Sequence, residues 1–443
     1  MKRIFAAVLL MSLLLAACNA PETTEKAMEE STAEAAESTE AASDTEKEAP
    51  YEIVLIDGDK ALFTYVYQKD SDAAKDACKA SGAEFKDRGI RVRFVSEGTE
   101  VSDTAVYLAL GDKNAVTVSD GRVNITAKSE NELSSVLACF WASCEDGFGR
   151  ACIMSDESKE FTNAMMNVSP VVCAVKVPGL SREYSLLHLT DMHMCLVDED
   201  TTQARKNYNA PRYTLFSKNG IYAEQRYPYF FEYARETGCD AMILTGDITD
   251  QPSDANIAAM TNQIENSSVP VCYTVGNHDW CYSDDYWSQN AISTHLPKFS
   301  QISGGNTDWN IWDFEEFVVL TVDNSMNSFK PVHIEALNHA IEMNKPIVLA
   351  MHIPLSCPEL KEASKRVWGG RDITIGVGGV GDNDTSFAFI DLATAEDSPV
   401  VAILCGHVHF THSENAGYTP QFVTGGGFDG ICRILKLVPE DTE

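Results

Sequence analysis

Five apolar runs, spread from residue 184 to residue 409, each break off at a side chain able to bind a metal or hold a proton. They are YSLLHLTDMH, DAMILTGDITD, VPVCYTVGNHD, KPIVLAMHIP and VVAILCGHVH. Between them lie stretches of helical spacing such as YPYFFEYARETG and HIEALNHAIEMN. Strands alternating with helices predict an α/β layered core. Residues just past the strand ends then gather along one edge of the sheets, where sites form.

Collected, those ends are Asp191 and His193, Asp247, Asn277 with His278 and Asp279, His352, and His407 with His409. Singly, each has an ordinary reading. A strand-end histidine is most often a hydrogen-bonded structural residue, and Asp247 or Asn277 suits a turn. Those readings would have to hold independently at all five places. Carboxylate, imidazole and amide oxygen together suit manganese, iron or zinc better than calcium. Strand alternation predicts that Asp191 and His193, and likewise His407 and His409, point to one side. Gly246, Gly276 and Gly406 stand before three of these sets, where a tight turn or close backbone approach excludes a Cβ.

The series Asp-x-His, Gly-Asp, Gly-Asn-His-Asp, His, Gly-His-x-His, in that order, resembles the calcineurin-like metallophosphoesterases over roughly residues 171–438. The resemblance implies a two-sheet β-sandwich flanked by helices, with two divalent metals at the strand ends. It places Asp191, His193, Asp247 and His409 on the first metal, and a bridging Asp247 with Asn277, His352 and His407 on the second. It sets His278 beside the leaving group, with Asp279 to orient it. Purple acid phosphatases carry a tyrosine three residues after the Gly-Asp aspartate; here Asp250 stands there, so an iron–tyrosinate centre is not expected. The implied reaction is hydrolysis of a phosphomonoester or phosphodiester by a metal-bridging hydroxide.

The chain begins with Lys2 and Arg3, an apolar run over residues 4–15, and Leu15-Ala16-Ala17-Cys18. This order reads as a signal segment over residues 1–17. Leu-Ala-Ala-Cys resembles the bacterial lipobox, which implies lipidation at Cys18, a membrane anchor and a location outside the cytoplasm. Residues 18–50, rich in Glu, Ala, Ser and Thr, bury too little apolar surface to fold and read as an acidic tether. Residues 51–165 show a βαββββα-like order, with a helix ending at Gly82 and a hairpin at Asp120-Gly121. That order predicts a small α/β domain, weakly similar to the accessory domain of hexosaminidase-type glycoside hydrolases.

With 34 basic against 66 acidic residues, a net charge of −32 disfavours nucleic acid. The expected partner is a phosphoester, small or part of the cell envelope. A surface-binding lipoprotein with a structural metal site, or a polysaccharide-associated accessory protein, are the alternative readings. Thirteen cysteines in an exported chain permit disulfides, with Cys139, Cys144 and Cys152 the best placed. Cys239, Cys272 and Cys405 read as buried thiols. Two segments are expected to shape the pocket. The first, 194–238, holds Arg205, Lys206, Arg212 and Arg226; the second follows His352, with Lys361, Lys365, Arg366, Arg371 and the loop GVGGVGDND. Their arginines are candidates for gripping a second anionic group. Trp280, Tyr282 and Trp287 are candidates for stacking on a substrate or for packing.

Overall fold

Strands buried on both faces dominate the second half of the chain. In the computed structural model, which describes residues 49–371, 373, 375 and 383–440, Phe317–Val322, Ala241–Thr245 and Ile347–Ala350 are buried at every position. Such continuous apolar runs form the middle of sheets covered on two sides. Two sheets result. One has five strands in the order Ser169–Val177, Ile431–Pro439, Tyr184–Leu189, Ala241–Thr245, Val271–Thr274. The other has six, in the order Trp309–Phe314, Phe317–Val322, Ile347–Ala350, Val400–Cys405, Thr419–Val423, His412–Ala416. Leu186, Ile243 and Leu435 of the first meet Val319, Val348, Ala402 and Leu404 of the second in one apolar cluster. The sheets therefore stack face to face as a sandwich.

Helices cover the outer faces. Pro331–Glu342 and Asp384–Thr394 bring Leu337 and Phe389 against Val318, Leu320 and Ile403. On the other side Ala223–Thr237 and Asp254–Glu265 bring Phe230 and Met260 into the cluster holding Leu187, Met242 and Tyr273. The α/β architecture of two stacked sheets flanked by helices is the one expected. Within each sheet the strands carrying the motifs run parallel: Tyr184–Leu189 with Ala241–Thr245 and Val271–Thr274, and Ile347–Ala350 with Val400–Cys405. All five motif ends thus emerge on the same side.

Before the sandwich lies a six-stranded sheet in the order Arg93–Ser96, Phe63–Tyr67, Thr104–Leu110, Arg122–Ala127, Ala115–Ser119, Ser158–Glu160. A three-stranded sheet of Lys60–Ala61, Glu52–Asp57 and Arg150–Met154 joins it. The hairpin turns where expected, with Asp120 at φ 51° and Gly121 at φ 70°. The helix expected to stop at Gly82 instead spans Asp72–Asp87. Gly82 is a packing position: a Cβ there would come 2.3 Å from the ring tip of Phe94. Phe140, Trp141 and Leu137 of the helix Leu133–Cys144 share one apolar cluster with Tyr227, Phe230 and Ala234 of the sandwich. Cys139, Cys144 and Cys152 are free thiols, so the anticipated bridge is not formed, whereas Cys239, Cys272 and Cys405 are buried as read. Cys18, the apolar run 4–15, most of the tether and most of GVGGVGDND lie outside the described residues. Among the described residues no helix is long and apolar enough to cross a membrane.

Candidate metal centre

The motif residues sit on tight loops beyond the strand ends. Asp191, His193, Asp247, His407 and His409 have φ of 50°, 49°, 49°, 72° and 59°. Side-chain-bearing residues adopt this left-handed region at a cost and hold it only where surrounding bonds over-determine it. Strand alternation is therefore not what aims Asp191 with His193, or His407 with His409, because both pairs lie past their strands in left-handed turns. The bonds that hold them run between loops. Asp191 N donates to Gly246 O at 3.0 Å and His193 N to Asp247 O at 2.9 Å. His407 N donates to Asp191 Oδ2 at 2.8 Å, and His278 N to Asp247 Oδ1 at 2.7 Å. Loops this close leave no room for a Cβ at Gly406, which would stand 1.9 Å from Thr190 Oγ1.

Each carboxylate spends one oxygen on those amides and turns the other inward. Asp191 Oδ1 lies 3.3 Å from His409 Nε2 and 3.8 Å from His193 Nε2, and the two imidazole nitrogens are 3.0 Å apart. Asp247 Oδ2 lies 3.1 Å from His352 Nε2 and 3.8 Å from His193 Nε2, and so spans two groups. One group able to hold an ion is Asp191, His193 and His409; a second is Asp247, His352 and His407. Asn277 gives its amide nitrogen to the Tyr286 hydroxyl at 3.0 Å, which leaves its oxygen free. The histidines are oriented from behind: His193 Nδ1 meets Asp250 Oδ1 at 2.8 Å and His352 Nδ1 meets Thr245 O at 2.7 Å. In both, Nε2 is the atom presented to the cluster.

The donor set fits a pair of divalent cations. Asp191 Oδ1, Asn277 Oδ1, His352 Nε2 and His407 Nε2 are buried and have no hydrogen-bond partner. Buried polar atoms are nearly always satisfied, and four converging exceptions, two of them oxygens that can only accept, call for a cation. The charge balance agrees. Burial presses His193 down, yet Asp191, Asp250 and Asp247 more than reverse this and hold it at about 10. Burial likewise opposes protonation of His352, and Asp247 and Asp191 raise it to about 9. His407, buried beside His352, falls to about 3. The carboxylates thus attract positive charge strongly enough to overcome desolvation, a demand that bound metal meets in place of protons.

His278 and Asp279 do not pair as expected. The Asp279 carboxylate is wholly buried and accepts from the amides of Asp247, Thr249 and Gly276 and the hydroxyls of Thr249 and Tyr273. It ties its own loop to the loop of Asp247 and Thr249 from below. The carboxylate facing His278 is that of Asp250, with Oδ1 at 3.3 Å from Nδ1. Arg212, from the helix Gln203–Leu215, grips Asp250 through two of its nitrogens. Burial tends to raise Asp250, but Arg212, His193 and His278 hold it well below the usual carboxylate range. One carboxylate thus supports both a candidate ligand and the candidate leaving-group histidine. In the sequence Asp250 is distinctive only as the residue standing in place of a tyrosine, and no spacing pairs it with Arg212. Phe216 completes the support by stacking on His193 at 4.2 Å.

The other arginines of this segment are also engaged. Arg226 donates to the carbonyls of Asn167 and Lys218, and Arg205 pairs with Asp284 and lies over Tyr282 at 3.6 Å. They brace loops and do not stand free for an anion. Trp280 is fully buried and donates to Ser325, a packing role. On the other side of the cluster Trp368 lies 5.7 Å from His409, with Arg371 over it at 5.2 Å.

The sequence pattern of the calcineurin-like phosphoesterase family matches residues 184–410, just over half of the chain. No curated protein matches. Among solved structures, a dimetal phosphatase from Danio rerio is similar at 9% identity, covering 56% of this chain and 89% of that one, with a TM-score of 0.36. A putative 5'-nucleotidase from Staphylococcus aureus is similar at 13% identity, covering 59% of this chain and 55% of that one, with a TM-score of 0.32. A phosphopantetheinyl hydrolase from Mycobacterium tuberculosis is similar at 12% identity, covering 56% and 92%, with a TM-score of 0.29. With the family pattern running from the first motif strand through the last His-x-His, the chain belongs to the calcineurin-like phosphoesterase family and is a metal-dependent phosphoesterase.

Proposed function

We propose that this protein hydrolyses a phosphomonoester or phosphodiester at a dinuclear centre held by Asp191, His193, Asp247, Asn277, His352, His407 and His409. The observation that carries the assignment is the set of four buried, unpartnered acceptor atoms on Asp191, Asn277, His352 and His407. Two divalent ions of manganese, iron or zinc, when bound there, supply Lewis acidity and a water that is nucleophilic at neutral pH. The chain's own residues do the rest. Asp247, with one oxygen on the His278 amide and the other between the two groups, keeps both halves at a set distance. His278 is partly exposed and is the residue to stabilise or protonate the leaving oxygen. Asp250 orients His278 through Nδ1, and Arg212 holds Asp250 in place. Asp279 positions the loops and touches no reacting atom.

We further propose that Cys18 carries a lipid and that residues 18–50 tether the enzyme outside the cytoplasmic membrane, with 51–165 as an accessory domain beside the catalytic domain 171–438. The support is the sequence Leu15-Ala16-Ala17-Cys18 and the composition that follows it. Nitrophenyl phosphate mono- and diesters, offered with Mn²⁺ and after chelation, test the chemistry: turnover should require metal and vanish in Asp247→Asn. Absence of turnover across both ester classes in the metal-loaded protein would refute it. Cys18→Ala tests the anchor, by converting a membrane-associated protein into a freely released or retained precursor form.

A further inference from the structure

Tyr286 is half exposed, at 51%, yet its hydroxyl is turned inward onto the Asn277 amide at 3.0 Å. Its ring lies 5.9 Å from that of His278, so it flanks the side of the centre where the leaving group departs. The pose is imposed by the chain. Trp287, the next residue, stacks on it at 5.8 Å and sits at φ 55°, a conformation bulky side chains avoid. Trp287 N donates to Cys281 Sγ at 3.4 Å, and Ser288 caps the helix Gln289–His295. A strained residue held from both sides fixes its neighbour over the site, and such strain gathers where binding demands it. The hydrogen bonding then has one direction. Asn277 Nδ2 donates, so the phenol oxygen accepts, and among the described residues the phenol's own hydrogen has no acceptor.

We propose that Tyr286 is a substrate-binding residue, its hydroxyl donating to a phosphoryl oxygen of the bound ester while its exposed ring walls the organic portion. The assignment rests on the phosphoesterase reading above. It adds to the family's metal-binding motifs a donor from the segment that follows Gly-Asn-His-Asp.

The test is Tyr286→Phe in the full chain loaded with Mn²⁺, with inorganic phosphate as probe. Three quantities are read: metal bound per chain by elemental analysis, the phosphate Kd by calorimetry, and kcat and KM for nitrophenyl phosphate. Loss of one hydrogen bond to a charged oxygen should weaken phosphate about tenfold and lower kcat/KM by a similar factor. Metal content and the unfolding temperature should stay as in the wild type. Unchanged phosphate affinity and KM would overturn the proposal. So would a fall in bound metal with phosphate affinity restored by excess Mn²⁺, which would make Tyr286 only a support for Asn277. Should the wild type bind Mn²⁺ but neither phosphate nor ester, the phosphoesterase reading and this proposal fall together; an active wild type with an indifferent variant refutes this proposal alone.

Discussion

The region before residue 169 and the sandwich after it bury very different things. Among the described residues up to Val168 the buried polar side chains are Thr64 and Asn114, each tied to a neighbouring carboxylate, Asp103 and Glu132. After it, buried Asp191, Asp247, Asp250, Asp279, His193 and His352 lie within one set of loops. The left-handed backbone differs too. Among the described non-glycine residues it falls in the first region at the turn residues Asp70 and Asp120, and in the second at five candidate ligands besides Asn219, Trp287, Asn327 and Asn344. Burying ionisable groups and straining the backbone both cost stability, so a fold tolerates them where they perform a task. The first region shows what this chain's packing looks like without that demand, and the second what catalysis adds.

Substitutions can sharpen or break this contrast. The largest effect is expected for Asp247→Asn, which removes the charge shared by both ligand groups: kcat/KM for an aryl phosphate should fall about a thousandfold or more, with metal content reduced. Next is Phe140→Ala in the first region. Emptying a buried aromatic site costs about 3–5 kcal/mol of stability, read by denaturant unfolding, while kcat of the folded fraction should hold. A fall in kcat at unchanged KM and metal content would mean the first region takes part in the chemistry and would break the contrast. Arg212→Ala and Asp250→Asn come third. Loss of an orienting partner behind a ligand histidine typically costs about 10–100-fold in metal affinity or activity, and the loss should be shared by the two variants.

How far the sequence could have announced this differs from part to part. The strands Tyr184–Leu189, Ala241–Thr245, Val271–Thr274, Ile347–Ala350 and Val400–Cys405 are the five apolar runs that stand out on inspection. Burial on both faces writes itself into composition, and the parallel order then brings the polar ends to one edge. What lies past those ends is not written locally. Aspartate and histidine enter left-handed turns more often than most residues, but that preference does not say which of them will, and the expected strand alternation had to yield to them. The Asp250–Arg212 pair is 38 residues apart in sequence, and the helix Asp72–Asp87 runs through Gly82, where Phe94 leaves no room for a side chain. His188, inside the same run as Asp191, is a packing histidine with both nitrogens on threonine hydroxyls at 2.7 Å. Only tertiary partners separate it from a ligand.

The smallest effect concerns another such histidine. Burial and Lys330 push His333 down to about 4, against an ordinary value of 6.5. The unfolded chain therefore takes up a proton at this position before the folded one does. The stability so contributed is present above pH 6.5 and is lost as pH falls toward 4. In chelated protein, the gap in unfolding temperature between wild type and His333→Gln should narrow over that window. A gap independent of pH would show that His333 is not the group responsible.

The left-handed turns at Asp191, His193, Asp247, His407 and His409 have an evolutionary corollary. Each is a place where glycine would relax the chain while abolishing a ligand. A descendant freed from hydrolytic duty would gain robustness by the same replacements that silence it, so inactivity in such a lineage would be self-reinforcing. Aspartate or histidine, rather than glycine, at all five positions is therefore what a working site must keep at the expense of backbone ease.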